Sequence, residues 1–325
     1  MPHPAEIIAR LRALAGLIDA PGFMVPWLDR LYEPADIDLV FEAAAGGLPG
    51  GHTDDELERA VRRAVLERAD SSFAPADLHT RYELWALFED WRDLPPKIRL
   101  ELNEWELADY LAEVGAGIEA VLEGHGEESD QRDYTFLLLE EAEQLIRDAP
   151  AIFLWPCNCR AMWGNCEKSH AVCLRFGNDR GIGWELSKDR AIAVLRQADA
   201  EGLMHTAYLA SLHGHHGICN CCSDCCFPIL AGQRLGAAAV WPMRRYLATH
   251  RPGSCTLCAR CVRRCPFGAI SIDRKREPAL VIDEAACRGC GLCSTGCPEE
   301  GIVMEARESP GIPPHTLPLP ATSAG

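Results

Sequence analysis

Polar and apolar positions over residues 1 to 150 follow the helical period. Thr53 opens Thr-Asp-Asp-Glu, in which a hydroxyl caps the third amide while Glu56 reaches back, and Leu57, Val61 and Val65 then recur at four-residue spacing. This pattern predicts a helix from about 54 to 69. The same period predicts helices over Ala5 to Asp19, Pro34 to Ala45, Ile98 to Val114 and Tyr134 to Arg147, with Gly46-Gly47 and Gly50-Gly51 as breaks. Strand-like alternation is scarce in this half. Trp85, Trp91 and Trp105 are expected in its core, and the stretch from Arg81 to Tyr110 is open to a winged-helix-like reading.

Beyond residue 150 the pattern changes. Ser187 is placed to cap a helix from Lys188 to Ala200, with Ile192 and Leu195 on one face and Gly202 as its stop. Gly-, Asn- and Cys-rich segments surround it. Short β-prone runs follow at Ala269-Ile-Ser-Ile, Ala279-Leu-Val-Ile-Asp283 and Gly301-Ile-Val-Met, whereas Thr249-His-Arg-Pro-Gly-Ser is poor strand material. The last residues, with Pro310, Pro313, Pro314, Pro318 and Pro320, read as a disordered tail. The expected class is α+β in four segments: an acidic helical domain over 1–150, a cysteine-rich central domain over 151–250, a smaller domain over 251–305 and the tail over 306–325.

Charge divides the chain at the same place. Residues 1 to 150 hold 33 acidic and 13 basic side chains, an excess larger than the net charge of −16, so the remainder is slightly basic. Nucleic-acid binding draws on basic surface that releases phosphate counterions, so it is not favoured for the acidic half. No apolar run approaches the roughly 20 residues of a membrane span. The start, Met1-Pro-His-Pro-Ala-Glu, lacks a basic segment followed by an apolar one, and a cytoplasmic, reducing setting is expected. In such a setting clustered cysteines hold metal or do redox chemistry more often than they form disulfides.

All 17 cysteines lie between Cys157 and Cys297. Cys255, Cys258, Cys261 and Cys265 recur 32 residues later as Cys287, Cys290, Cys293 and Cys297, each run ending in Cys-Pro. In Cys-x2-Cys-x2-Cys-x3-Cys-Pro the first three thiolates wrap one iron–sulfur cube and the fourth serves the other cube. The expected sets are therefore Cys255, Cys258, Cys261 and Cys297 for one [4Fe–4S] cluster, and Cys287, Cys290, Cys293 and Cys265 for the other. Zinc also takes four thiolates, but a zinc site gives no reason for the third in-register cysteine or the Cys-Pro ending. Residues 253 to 305 resemble the bacterial-type dicluster ferredoxin domain. One departure from that pattern is the weak strand signal ahead of Cys255, which predicts a missing edge strand in the first half.

The central segment adds Cys157, Cys159, Cys166 and Cys173, then Cys219, Cys221, Cys222, Cys225 and Cys226. These suit one or two further iron–sulfur clusters, zinc, or a redox-active dithiol. Adjacent cysteines do not readily face one small metal, so Cys221-Cys222 and Cys225-Cys226 are expected to divide between sites. Cys157-Asn-Cys-Arg160, Gly202-Leu-Met-His205 and Ile218 to Cys222, ahead of the repeat, resemble a group of bacterial and archaeal iron–sulfur proteins of poorly defined role. His205 is expected at a helix end. His213, His215 and His216 are candidates for metal or proton work, with a solvated Gly-rich loop as the plainer reading.

No G-x-G-x-x-G follows a strand and no phosphate-loop motif occurs, so flavin, nicotinamide and ATP find no binding motif here. The expected function is single-electron transfer through two [4Fe–4S] clusters to or from a separate redox enzyme, with a redox protein as partner. Two other classes stay open: an oxidoreductase acting at its own central cysteines, and an iron–sulfur redox-sensing transcription regulator. Arg260, Arg263 and Arg264, on a cluster loop, are candidates for docking an acidic partner.

Overall fold

The computed structural model describes residues 4–69, 72–124, 134–177, 180–208 and 217–307. His213, His215, His216 and the Pro-rich tail from 308 lie outside the described residues. The chain forms two compact units, one of residues 1–108 with 161–163 and 179–182, the other of the remainder. Helix and strand are mixed as the α+β expectation requires.

The first unit is built on α1 (Ala5–Leu17), α2 (Leu28–Leu31), α3 (Pro34–Ala44), α4 (Asp54–Arg62), a hairpin of β1 (Leu66–Ala69) and β2 (Ser72–Pro75), α5 (Leu78–Phe88) and the first part of α6 (Pro96–Leu122). The capping box forms as the sequence specifies: Glu56 N donates to Thr53 Oγ1 at 3.3 Å and Thr53 N to Glu56 Oε2 at 2.8 Å. The helix expected to reach 69 ends at Arg62. Ala64 takes a left-handed conformation (φ 52°) that a helix interior does not tolerate, and the residues after Val65 become β1. Trp85 and Trp91 are buried, whereas Trp105 is only half-buried. Arg81 is fully buried and donates to both Glu89 oxygens (2.8 and 2.9 Å) and to the Leu31 carbonyl.

In the same unit His79 Nδ1 lies 2.7 Å from the buried carboxylate of Glu106. Burial opposes the imidazolium, but the hydrogen bond and charge of Glu106 outweigh it and push the group up to about 10. A folded value above the ordinary 6.5 stabilises the fold fully below that pH, and the contribution disappears as pH rises through about 10. The expected outcome is a stability loss of up to about 1.4 kcal/mol per pH unit across this window. His79→Gln should flatten the profile measured by denaturant unfolding; a wild-type profile already flat contradicts it.

The second unit centres on an antiparallel sheet of six strands, β3 (Tyr134–Leu137), β4 (Phe153–Pro156), β5 (Ala171–Arg175), β6 (Trp184–Glu185), β7 (Met204–Tyr208) and β8 (Gly217–Cys221), in the order β3-β7-β8-β5-β4-β6. Tyr134 to Leu137, expected to be helical, is the edge strand β3 paired with β7; the helix begins after it as α7 (Leu139–Asp148). The Tyr-Thr-Phe-Leu run is β-prone, and its alternation was masked by the longer helical period that follows. Helix α8 (Asn158–Trp163) follows β4. Helix α9 (Lys188–Ala200) starts on Ser187, whose hydroxyl accepts from Arg190 N, and is followed by Gly202 at φ 78°.

Strand alternation gives this sheet two different faces. Leu137, Leu174, Ala207 and Ile218 point to one face and are buried beneath α7 and α9 with Ala142, Leu145, Ile146, Ala191 and Leu195. The intervening residues Phe136, Met204, Cys219 and Cys221 point to the other, where they pack with Cys226, Ile229 and Leu292. That face is roofed by α10 (Phe227–Arg234) and by the last segment of the chain, which comprises β9 (Tyr246–His250), α11 (Arg260–Arg264), β10 (Ile270–Ile272), β11 (Leu280–Ile282), α12 (Leu292–Thr295) and β12 (Ile302–Ala306).

Candidate metal centres

The cysteine repeat builds a pseudo-symmetric module. β9 pairs with β12 and β10 with β11, both antiparallel. β9 supplies the strand expected to be missing: Tyr246 to His250 is β-competent, and the poor residues, Arg251 to Ser254, form the turn beyond it. The fourth cysteine of each run receives an equivalent backbone bond, Ala269 N to Cys265 Sγ at 3.3 Å and Gly301 N to Cys297 Sγ at 3.2 Å. Such N–H···S bonds favour the thiolate form and raise the potential of a cluster it ligates.

Two hollows result. Cys255, Cys258, Cys261 and Cys297 line one, with Leu280 and Ile302. Cys265, Cys287, Cys290 and Cys293 line the other, with Phe267, Leu292 and Met304. Each donor set is four thiols, three from one run and one from the other, in largely apolar surroundings, which is the chemistry a cubane takes. Gly301 fits this packing closely: a Cβ there would sit 3.2 Å from Cys255 Cα. The two sets differ in exposure. Cys258 is exposed, and the amide of Arg260 holds its thiol below the usual range; burial pushes the Cys290 thiol up to about 12. The first set is the outer one and the second the inner.

Arg260 and Arg263 are exposed beside the outer set. Arg264 is not a free docking cation. Its guanidinium donates to Asp199 Oδ2 at 3.0 Å, to Leu292 O and to Thr295 Oγ1, bracing α11 against α9 and α12. Asp199 also faces His205 Nε2 at 3.8 Å. His205 lies within β7 rather than at a helix end, fully buried, with Nδ1 2.6 Å from Asn220 Oδ1. Burial raises the Asp199 carboxyl, but hydrogen bonds with His205 and Thr295 prevail and hold it below the usual range.

The nine central cysteines assemble across the two stretches that hold them, not within each. Cys166, Cys222 and Cys225 come together with all three Sγ atoms within 4.8 Å of one another, and among the described residues no other three metal-ligating side chains do so. A tetrahedral ion with Zn–S near 2.3 Å places its sulfurs about 3.8 Å apart, so this trio suits one such ion with a fourth position open. The hydrogen bond with Cys225 pulls the Cys222 thiol down to about 6.

The other six thiols form a closed circuit in which Cys157 neighbours Cys159 and Cys173, Cys219 neighbours Cys173 and Cys221, and Cys226 neighbours Cys221 and Cys159. The Cys226 to Cys221 contact is 3.2 Å. Each adjacent pair, Cys221-Cys222 and Cys225-Cys226, is divided between the circuit and the trio. Thr206 Oγ1 is 3.4 Å from Cys221 Sγ, and Tyr134 Oη is 3.8 Å from both Cys221 and Cys226. Arg160 is fully buried, and its guanidinium donates to the Asn220 carbonyl at 2.9 and 3.2 Å. Burial opposes its charge, and the nearby Cys157, Cys173, Cys222 and Cys221 favour it when they are thiolates. The sequence reading gave Arg160 no role beyond its place in Cys-x-Cys-Arg.

Residues 254–301 match the 4Fe-4S dicluster domain family. The chain is 31% identical over 90 residues to an uncharacterized ferredoxin of Methanocaldococcus jannaschii, covering 27% of this chain and 50% of that protein. It is 41% identical over 51 residues to pyruvate synthase subunit PorD of Methanothermobacter marburgensis, covering 16% of this chain and 56% of that subunit. The chain thus spans about half the length of the curated relatives it matches. No solved structure matches it. The C-terminal module is a dicluster ferredoxin domain, and a domain of this kind holds two [4Fe–4S] clusters.

Proposed function

We propose that this chain, which carries a 4Fe-4S dicluster domain, passes single electrons to or from a separate redox enzyme, with Cys255, Cys258, Cys261 and Cys297 holding the cluster nearer the surface and Cys265, Cys287, Cys290 and Cys293 the one further in. The observation that carries this reading is the pair of four-thiol hollows, each drawing one cysteine from the other run. When bound, a cubane supplies one reversible electron at little structural cost.

The protein's own residues do the rest. Backbone amides at 269 and 301 hold the fourth cysteines, and Leu280, Ile302, Leu292 and Met304 line the hollows and shield the more buried sulfurs. Exposed Leu257, Arg260 and Arg263 surround Cys258 and form an apolar and basic contact for an acidic partner surface. A relative named as a pyruvate synthase subunit favours an enzyme complex as that partner. Among the described residues no helix is long and apolar enough to cross a membrane.

The test is anaerobic reduction of the iron-loaded chain, followed by mixing with an oxidised one-electron acceptor protein. At least two electrons per chain are expected to be returned, and Arg260→Glu with Arg263→Glu should slow delivery to an acidic acceptor by about 10-fold or more at low salt. A chain that takes up no electrons, or returns none, contradicts the reading.

A further inference from the structure

The circuit of Cys157, Cys159, Cys173, Cys219, Cys221 and Cys226 is an unusual donor set. Its members come from β5, β8, the turn into α8 and the start of α10, so four separate pieces of chain converge on it. β8 directs Cys219 and Cys221 to the same face, two residues apart, while Asn220 between them turns away to His205 and to the Val172 carbonyl. Every neighbour-to-neighbour step of the circuit is a thiol. The other polar side-chain atoms against it include the hydroxyls of Thr206 and Tyr134 and, 3.6 Å from Cys159 Sγ, Asn158 Oδ1.

Three observations point to what it binds. First, each thiol has two thiol neighbours, yet no three of the six lie within 4.8 Å of one another, unlike Cys166, Cys222 and Cys225. One tetrahedral ion holds its thiolates about 3.8 Å apart, all within that limit, so the six do not close on a single ion. The eight ferredoxin cysteines likewise give no trio within that limit. Second, the donors are exclusively soft, which selects iron–sulfur, zinc or Cu(I) over harder ions. Third, Arg160 is a fully buried cation with no carboxylate within ion-pairing distance among the described residues, and it faces Cys157, Cys173 and Cys221 of the circuit. Buried charges are compensated, so the guanidinium calls for anionic sulfur beside it.

We infer that these six cysteines hold a third, polynuclear iron–sulfur centre, distinct from the two of the ferredoxin domain and from the Cys166, Cys222 and Cys225 trio. The placement rests on the reading of the C-terminal module as electron-transferring, and it gives that module an internal neighbour. Cys219, Cys221 and Cys226 share one apolar layer with Phe136, Phe267, Leu292 and Cys290 of the inner set. The Phe136 and Phe267 rings are 6.3 Å apart between centroids. Among the described residues that layer is made of apolar side chains and cysteines. The third centre therefore lies on the inner side of the module, opposite the exposed Cys258.

The experiment is iron, sulfide, zinc and copper quantification on the full chain, purified and loaded without oxygen. About twelve or more irons per chain are expected, with matching sulfide, because two cubanes account for about eight. Cys173→Ala should lose the excess and keep about eight irons, whereas Cys222→Ala should keep the excess. The Cys265→Ala, Cys297→Ala double variant should retain the excess alone. A wild-type content of about eight irons overturns the inference, whether the six thiols then carry zinc or copper or have paired as disulfides. So does an excess that depends on Cys222 but not on Cys173. Failure of the ferredoxin reading looks different: iron that is unchanged in the Cys265→Ala, Cys297→Ala variant.

Discussion

The Cys258→Ala, Cys297→Ala double variant is expected to lose no more iron than either single variant, about four atoms per chain. The two residues are 39 positions apart and belong to different runs, yet they line one hollow with Cys255 and Cys261. Removing either opens the same cubane, and removing the second has nothing left to displace. Cys265→Ala with Cys297→Ala pairs two residues from different hollows, and it should strip both clusters, about eight irons. If each run instead served its own cluster, the first double variant would lose about eight irons, with Cys258 and Cys297 acting independently. Iron and sulfide assays on the four variants distinguish the two schemes without a partner protein. Electron return to an acceptor should fall with the iron, since Cys258 is the exposed ligand of the set.

Different parts of this molecule were legible for different physical reasons. The cysteine repeat was legible because a cubane fixes ligand spacing along the chain, and spacing is what a sequence displays. Helix α9 was legible because its cap, apolar face and glycine stop all agree, and it runs over the predicted residues, Lys188–Ala200. The helix from Thr53 was half legible: its start is chemical, but its end depends on Ala64 adopting a positive φ that no side chain announces. β3 and β9 were misread or missed because each is a short strand whose pairing partner lies about 55 or more residues away. The central cysteines were the hardest. Chain order sorts them as four and five, while the fold sorts them as six and three. Cys219-Asn-Cys221 did carry a signal, since a period of two places both sulfurs on one face of a strand. Nothing in the sequence places Cys173 beside them, because the β5 to β8 pairing that does so crosses more than forty residues.

Glu141→Ala is expected to cost about 3–5 kcal/mol. Arg245 is 1% exposed, and its Nη1 and Nη2 each donate at 2.7 Å to one oxygen of Glu141. The same guanidinium also donates to the Phe136 carbonyl at 3.0 Å and to Thr135 Oγ1 at 3.2 Å. Tyr246 Oη donates to Glu141 Oε1 at 2.8 Å, and Leu138 N to its Oε2 at 2.8 Å. One carboxylate thus starts α7, pairs the arginine ahead of β9 and fixes the edge strand β3 between them. Losing it takes the bidentate carboxylate from a buried guanidinium, which costs more than losing a surface pair. The readout is amide exchange at Phe136 and Met243, whose bonds at 3.2 Å and 3.0 Å join β3 to the residues leading into β9. These should exchange about 10²- to 4 × 10³-fold faster, since each 1.4 kcal/mol is a factor of ten. Replacing both partners, Glu141→Leu with Arg245→Met, removes the buried charge as well and should recover most of the protection. If Glu141→Ala leaves both amides as protected as in the wild type, the pair does not hold β3 to the ferredoxin module, and the apolar layer of Phe136, Phe267 and Leu292 must do so alone.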